Sequence, residues 1–590
     1  MTAKIGQAIG ELAAAVARLR AAAAEYPTMA ENLFAGADEW MRLLHYKLLP
    51  HLGGGGCLVI AVAGGTNTGK STVFNMLLGG NVSPVRPTAA ATCRPVVAAN
   101  AHRARQCLDG LLLSGFRPLP LSDPDAPISH DTPPDALFVS QQDALPDRLV
   151  LMDIPDVDSI YPEHWELAEN IQAAGDVLVA VVTPEKYKDE RVVAFFKRAR
   201  AAGRHVLPLM NKADPRGDFA AARAQLDDFR RSANLERRPA FVLPHDFNMA
   251  GDFHREIAAL DGALPLRAYL DTLDAVSIKA EVYQDTIRHF STQFGAFLYT
   301  LGDIAKQLRA VAADFEARAD QCAEHYDPEP GEDVGRLVHA FVQSKRGPLR
   351  RAVGYVNDKI GQGMFSVWRR ASAALRGRAE NDGEKPARTA DDLAEAQHLR
   401  VETLARTVAQ EWVQAIPTLG EPARSLVSEE EGKLNIEAAV REVVAETTRN
   451  VELSQTFQEH ARKTMEAWWN DHAVGRRVLM ELDWILAASP LAVALTMGVL
   501  TGGFGVPEVA AMSGTFASTF FAKIMEHQFA DHWIKFVQPW RDEQRGRFRR
   551  ALRTHLADAF LAKVHASIAV LEGDIVETMR RCHEQCRKES

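Results

Sequence analysis

Cysteine is scarce in this chain. Six residues, Cys57, Cys93, Cys107, Cys322, Cys582 and Cys586, are scattered over 590 positions without framework spacing, which argues against a disulfide-stapled scaffold and for a reducing cytoplasm. Only Cys582-His583-x-x-Cys586 has a metal-like spacing, and without a second ligand cluster it reads as part of a polar helical tail. An excess of positive charge is missing as well: 68 Lys and Arg against 77 Asp and Glu leave a net charge of -9, so wholesale nucleic-acid binding is not expected. Lys4, Glu11 and Arg18 interrupt the apolar residues at the amino terminus, so no signal-peptide core is expected there. A straight spanning helix of about 20 apolar residues is also lacking. The charge-free stretch from Trp484 to Pro507 is broken by Pro490 and by Gly502, Gly503 and Gly505. The length implies several structural units, because single cores rarely grow beyond about 250 to 300 residues.

What is present begins with the apolar run Leu58-Val59-Ile60-Ala61-Val62-Ala63, followed by Gly64-Gly65-Thr66-Asn67-Thr68-Gly69-Lys70-Ser71 and a helix-like Thr72 to Leu78. The spacing G-x-x-x-x-G-K-S between a strand and a helix is that of a phosphate-binding loop. Backbone amides from Gly64 to Thr72 cradle phosphates, Lys70 reaches the outer ones, and the Ser71 hydroxyl can hold Mg2+. Downstream, Leu149 to Met152 forms a second apolar strand ending in Asp153-Ile154-Pro155, where Asp153 can hold the Mg2+ shell through water. His205 to Met210 runs into Asn211-Lys212-Ala213-Asp214, an N-K-x-D whose carboxylate suits guanine and meets an adenine amino group badly. GTP and GDP are therefore the expected ligands, and an ATP-driven machine would require Asn211 to Asp214 to be accidental.

These motifs resemble a translation-factor-class GTPase domain over roughly Cys57 to Asn248. Thr92-Cys93-Arg94-Pro95 resembles the T-x-R-P first switch of dynamin-like GTPases. The resemblance implies that Thr92 closes over Mg2+ and the terminal phosphate, with Thr88 of Arg86-Pro87-Thr88 as the alternative, and that Lys70, Thr92 and Asn67 form the catalytic set. Two departures stand out: the usual D-x-P-G is Asp153-Ile154-Pro155-Asp156, and no glutamine follows. The Asp156 N-H can still serve the terminal phosphate, but its carboxylate adds repulsion unless turned away, so slow hydrolysis or altered switching is expected. The wider D-x-P-D-x-D-S pattern, Asp153 to Ser159, is similar to that of some bacterial dynamin-like GTPases. Asn67 resembles the loop asparagine of potassium-activated GTPases, where K+ neutralises transition-state charge; the alternative is that it only shapes the loop.

The expected architecture is an α/β P-loop GTPase domain, doubly wound with a mostly parallel sheet, joined to a large all-α helical-bundle stalk with an apolar helical hairpin. The units expected are a helical segment at 1-52, the GTPase domain at 53-270, stalk helices at 271-483, the hairpin at 484-525 and further stalk helices at 526-590. Ile5, Ile9, Leu12, Val16 and Leu19 form a coiled-coil-like seam, and Leu561, Val564, Ile568, Leu571 and Ile575 repeat it, which predicts that the two ends share a bundle. Further strands are predicted at Pro95 to Ala98, Ala136 to Val139, Val177 to Val182 and Ala240 to Leu243. Pro118 to Pro134 reads as a surface insertion, and Arg376 to Asp392 as a hinge or loop.

Trp484 to Leu500 and Glu508 to Ile524 read as two apolar arms around a Gly-rich turn. Both flanks are basic: Arg476 and Arg477 before, then Lys535, Arg541, Arg545, Arg547, Arg549, Arg550 and Arg553 after. This suits the cytoplasmic face of an anionic membrane, and the family resemblance also implies a membrane-inserting hairpin. The weakly hydrophobic Ala, Ser, Thr and Gly content suits a buried hairpin instead. The reading that follows is a cytoplasmic, peripherally membrane-bound GTPase that pairs through its GTPase domain, as a homodimer or with a second GTPase. The alternative is a soluble regulatory GTPase whose helices bind a protein or ribonucleoprotein.

Overall fold

In the computed structural model the described residues are 3-51, 57-85, 94-113, 115-122, 132-133, 135-157, 162-235, 239-245, 252-260, 264-328, 330, 334, 337-338, 340-341, 344-345, 390-449, 453-471 and 529-588. Thr88, Thr92, most of the Arg376 to Asp392 break and the whole 484-525 hairpin lie outside them. The chain divides into two compact units, Met1-Ala305 with Ser567-Ser590, and Lys306-Ala566.

The first unit is built on a nine-stranded sheet: β1 (Leu58-Gly64), β2 (Val96-Ala99), β3 (Arg117-Pro120), β4 (Ala136-Gln141), β5 (Leu149-Asp153), β6 (Val177-Val182), β7 (His205-Ala213), β8 (Phe241-Pro244) and β9 (Ala258-Ala259). The strand order is β3-β4-β2-β5-β1-β6-β7-β8-β9, parallel except where β2 meets β5 and β8 meets β9. Every β1 side chain is buried, with Val59, Ala61 and Ala63 in one apolar layer and Leu58, Ile60 and Val62 in the other. Burial on both faces explains the unbroken apolar run, because a sheet sandwiched by helices has no solvent face to alternate toward. Pro118 does not belong to an insertion: it lies in β3, an edge strand, where a missing N-H breaks no ladder on the outer side.

At the end of the sheet away from the phosphate loop, Asp176 is fully buried and binds three elements at once. Its Oδ1 pairs with Lys47, from the helical segment before the sheet, and its Oδ2 accepts from Val59 N-H at 2.8 Å and from Lys279 at 3.4 Å. Lys47 also donates to the carbonyls of Ala174 and Gly175 at 3.1 Å, and Lys279 to that of Cys57 at 2.6 Å. Burial alone would raise the Asp176 carboxyl, but Lys47 and Lys279 overcome it and hold it below the ordinary range.

The helix Ala3-Ala23 buries its Ile5-Ile9-Leu12-Val16-Leu19 seam, and it packs along Asp574-Lys588. The partner seam is therefore Val576, Met579, Cys582 and Cys586 rather than the run from Leu561 to Ile575, because the helix breaks at Gly573. Cys582 and Cys586 are buried seam residues, and His583 bonds to the Ser291 carbonyl at 2.8 Å.

In the second unit, Trp412 stacks on Phe315 at 5.5 Å and meets Phe560 edge-on at 5.5 Å. Beside this core an arginine face of Phe529-Leu552 and its continuation meets an acidic face: Arg541 and Arg545 with Asp327, Arg549 with Asp320 and Glu324, Arg553 with Glu316 and Asp320. Arg547 donates to the Glu446 and Arg449 carbonyls. These five arginines, read from sequence as part of a basic flank suited to an anionic membrane, thus have partners within the chain. Among the described residues no helix is long and apolar enough to cross a membrane.

Candidate functional site

The site lies where β1, β5 and β7 end together. After β1 the loop turns tightly: Thr68 N-H and Oγ1 both bond back to the Gly65 carbonyl, at 3.3 and 2.8 Å. Gly69 has φ +89°, and a Cβ there would sit 2.3 Å from Asn211 Nδ2, so any other residue would have to hold a left-handed backbone and displace the Asn211 side chain. Gly64 is equally constrained, its notional Cβ falling 2.2 Å from the Val181 carbonyl oxygen. Asn67 is exposed with φ +59°, a left-handed conformation that asparagine tolerates, which gives it a loop-shaping task whatever else it does. Thr66 is half-buried at the loop tip, while Ser71 and Thr72 lie in the first turn of the helix Lys70-Leu78.

Lys70 is buried and donates to the Gly65 carbonyl at 3.0 Å and to the Asp156 carboxylate. Asp153, at the end of β5, is fully buried. Its Oδ2 accepts from Ser71 Oγ and from Ser83 Oγ, each at 2.6 Å, while its Oδ1 has no partner among the described residues. Burial raises its pKa, and the two hydroxyls and the Lys70 charge oppose the rise. An orphaned carboxylate oxygen beside two hydroxyls fits Mg2+, whose usual protein share is one or two oxygen ligands with phosphate and water completing the shell.

The base end is assembled by a bulge in β7 between Met210 and Ala213, where Lys212 takes φ +55°. Asn211 Nδ2 donates to the Thr68 carbonyl at 2.8 Å, and its Oδ1 accepts from Lys212 N-H at 2.8 Å. Lys212 Nζ reaches the Asn67 carbonyl at 3.0 Å. The N-K-x-D and the phosphate loop are thus tied into one body. Asp214 is half-buried and held by Arg216, whose hydrogen bonds bring the carboxyl down to about 2, so it stands as an anion.

Two contributors carried no legible signal. Asn75, buried in the helix after the loop, accepts from Val82 and Ser83 N-H at 3.0 and 2.8 Å and donates to the Ser83 carbonyl at 2.8 Å. That clamp delivers Ser83 to Asp153. An asparagine in a helix and a serine in a loop are unremarkable in sequence, and only their closure on one another reveals them.

Residues 59-212 match the family model described as 50S ribosome-binding GTPase. No curated protein matches the chain. Among solved structures, Era in complex with MgGDPNP and a segment of 16S ribosomal RNA aligns at 16% identity over 32% of this chain and 50% of its own, with a TM-score of 0.21. Aquifex aeolicus Era bound to GDP.AlF4- aligns at 18% identity over the same shares, with a TM-score of 0.20. The chain thus spans half the length of these Era structures. A structure of an oligomerised bacterial dynamin pair, described as a mechanism for long-range sensing and tethering of membranes, aligns over 92% of both chains at 10% identity, with a TM-score of 0.35. The loop, the buried Asp153 and the bonded N-K-x-D all fall within or beside the matched segment, and the chain carries a P-loop GTPase domain joined to a large helical region.

Proposed function

We propose that this protein is a dynamin-like GTPase that hydrolyses GTP and couples the cycle to rearrangement of its helices at an anionic membrane. The observation that carries the GTPase part is the arrangement of Lys70, Asp153 and Asn211 around one loop, which supports a site for phosphate, metal and base. Lys70 and the loop amides hold the phosphates, and Asn211, Lys212 and Asp214 hold the guanine. Ser71 and Asp153 would hold Mg2+, which would supply positive charge toward the phosphates. Thr92, from the T-x-R-P resemblance, would close over the terminal phosphate. With no glutamine after Pro155 to orient water, K+ held at Asn67 is the proposed source of additional positive charge.

The membrane part rests on the sequence of the 484-525 segment. GTP turnover of the full chain in K+ and in Na+ buffer, with and without anionic liposomes and with Lys70→Ala as blank, tests both parts. Turnover that rises with liposomes and loses that rise when 484-524 is deleted supports membrane coupling, and equal rates in K+ and Na+ would remove the potassium role. The internal pairing of Arg541, Arg545, Arg547, Arg549 and Arg553 favours a second reading, a soluble regulatory GTPase with a protein or ribonucleoprotein partner. Lipid-independent turnover without liposome binding would select it.

A further inference from the structure

The Lys70 ammonium is the group on which the outer phosphates of a nucleotide land, and in this structure a carboxylate of the same chain already stands there. The Asp156 side chain is only 11% exposed and that of Lys70 6%, so the pair is closed off from water rather than a surface encounter. Its backbone is fixed on both sides: Ile154 and Val157 are fully buried, and Val157 N-H bonds to the Gly64 carbonyl at 3.3 Å, which pins the segment onto the phosphate loop. The nearby Asp153 carboxylate is turned to Ser71 and Ser83, leaving Asp156 as the acid bonded to Lys70. A glycine at position 156 would leave that ammonium uncovered.

We infer that Asp156 is a built-in competitor for the outer-phosphate position: its carboxylate occupies Lys70 while the site is empty and has to be displaced whenever a nucleoside di- or triphosphate enters. The inference rests on the guanine-nucleotide reading of the site. Two negatively charged groups cannot share one buried ammonium at full strength, so each molecule of GDP or GTP binds against the cost of breaking the Asp156-Lys70 pair. Affinity is multiplied by the fraction of chains in which Lys70 is uncovered, so a contact closed about nine-tenths of the time weakens binding about tenfold. The returning carboxylate also takes over Lys70 as phosphate leaves, which favours release of GDP by the domain itself.

The test is equilibrium titration and stopped-flow release of fluorescent GDP and a non-hydrolysable GTP analogue on the full chain, comparing Asp156→Asn, Asp156→Ala and Asp156→Glu. The Asn and Ala variants should bind both nucleotides about tenfold more tightly and release GDP more slowly, and Asp156→Glu should return toward wild type. GMP, whose single phosphate stops short of Lys70, should compete equally well with all of them. In a Lys70→Ala background the Asp156→Asn gain should vanish. Unchanged or weaker GDP binding in both the Asn and Ala variants, with wild type binding GDP, would overturn the inference alone. Failure of the folded wild type and all variants to bind any guanine nucleotide would overturn the guanine-nucleotide reading as well.

Discussion

Replacing Asp176 by asparagine should be the most damaging single substitution at the base of the sheet. The change keeps shape but removes the charge that two lysines share, leaving Lys47, 5% exposed, and Lys279, 12% exposed, facing a neutral amide. Breaking a buried pair in this way costs about 3 to 5 kcal/mol. The unit that holds it has roughly 330 residues. With an unfolding entropy of about 2.1 cal/mol/K per residue, that cost lowers the melting temperature by roughly 4 to 7 °C. Calorimetry of the full chain reads it. Lys47→Met in the Asp176→Asn background should recover part of the loss, because the uncompensated ammonium is gone. Asp176 is held below its ordinary pKa, so its stabilisation is complete above that value, about 4, and disappears as pH falls through the lowered one. Burial lowers Lys47 to about 7 even with Asp176 beside it, and lower still without it, so the gap between wild type and variant should widen as pH falls from 8 to 5 and close only in stronger acid. A variant melting within about 1 °C of wild type at pH 7, or a double variant whose losses simply add, would refute the account.

Asn75→Ala should strand the buried Ser83 N-H and carbonyl at a cost of about 2 to 4 kcal/mol, and should raise the Mg2+ concentration needed for half-maximal GTP turnover, since Ser83 no longer steadies Asp153; an unchanged Mg2+ requirement would deny Ser83 that role. Gly69→Ala combines a left-handed backbone with a clash on Asn211, strain of about 1 to 3 kcal/mol, so GDP affinity should fall about ten- to a hundredfold in a chain that still folds; wild-type affinity would contradict the coupling of loop and base motif. In the second unit, Trp412→Ala should cost about 3 to 5 kcal/mol in urea denaturation, because the ring is fully buried between Phe315 and Phe560. Arg549→Ala, at a partly exposed ion pair, should cost less than about 1 kcal/mol and less still in high salt; the reverse order would mean that the charge ladder, not the aromatic core, holds this unit.

The phosphate loop, Asp153 and the N-K-x-D were legible because each is a short segment at a strand end whose chemistry needs fixed residue types at fixed spacing. The strands were legible for a related reason, since a sheet buried on both faces must be written as unbroken apolar runs. β3 was missed because its prolines argue for a loop, and only a place at the sheet edge makes them acceptable. The pairing of Arg541, Arg545, Arg549 and Arg553 was not legible because their acidic partners, Glu316 to Asp327, lie more than 200 residues earlier. A charge run has no sign of its destination until both helices are placed. Local sequence thus determined which ligand class the domain is built for, since glycine conformation, amide donors and a lysine at the right step are properties of consecutive residues. Tertiary structure alone decided that Asp156 covers Lys70, that Ser83 reaches Asp153 through Asn75, and that Asp176 gathers Lys47 and Lys279. Each of these depends on burial, which makes a charge or a hydrogen bond count, and burial is a property of the folded chain.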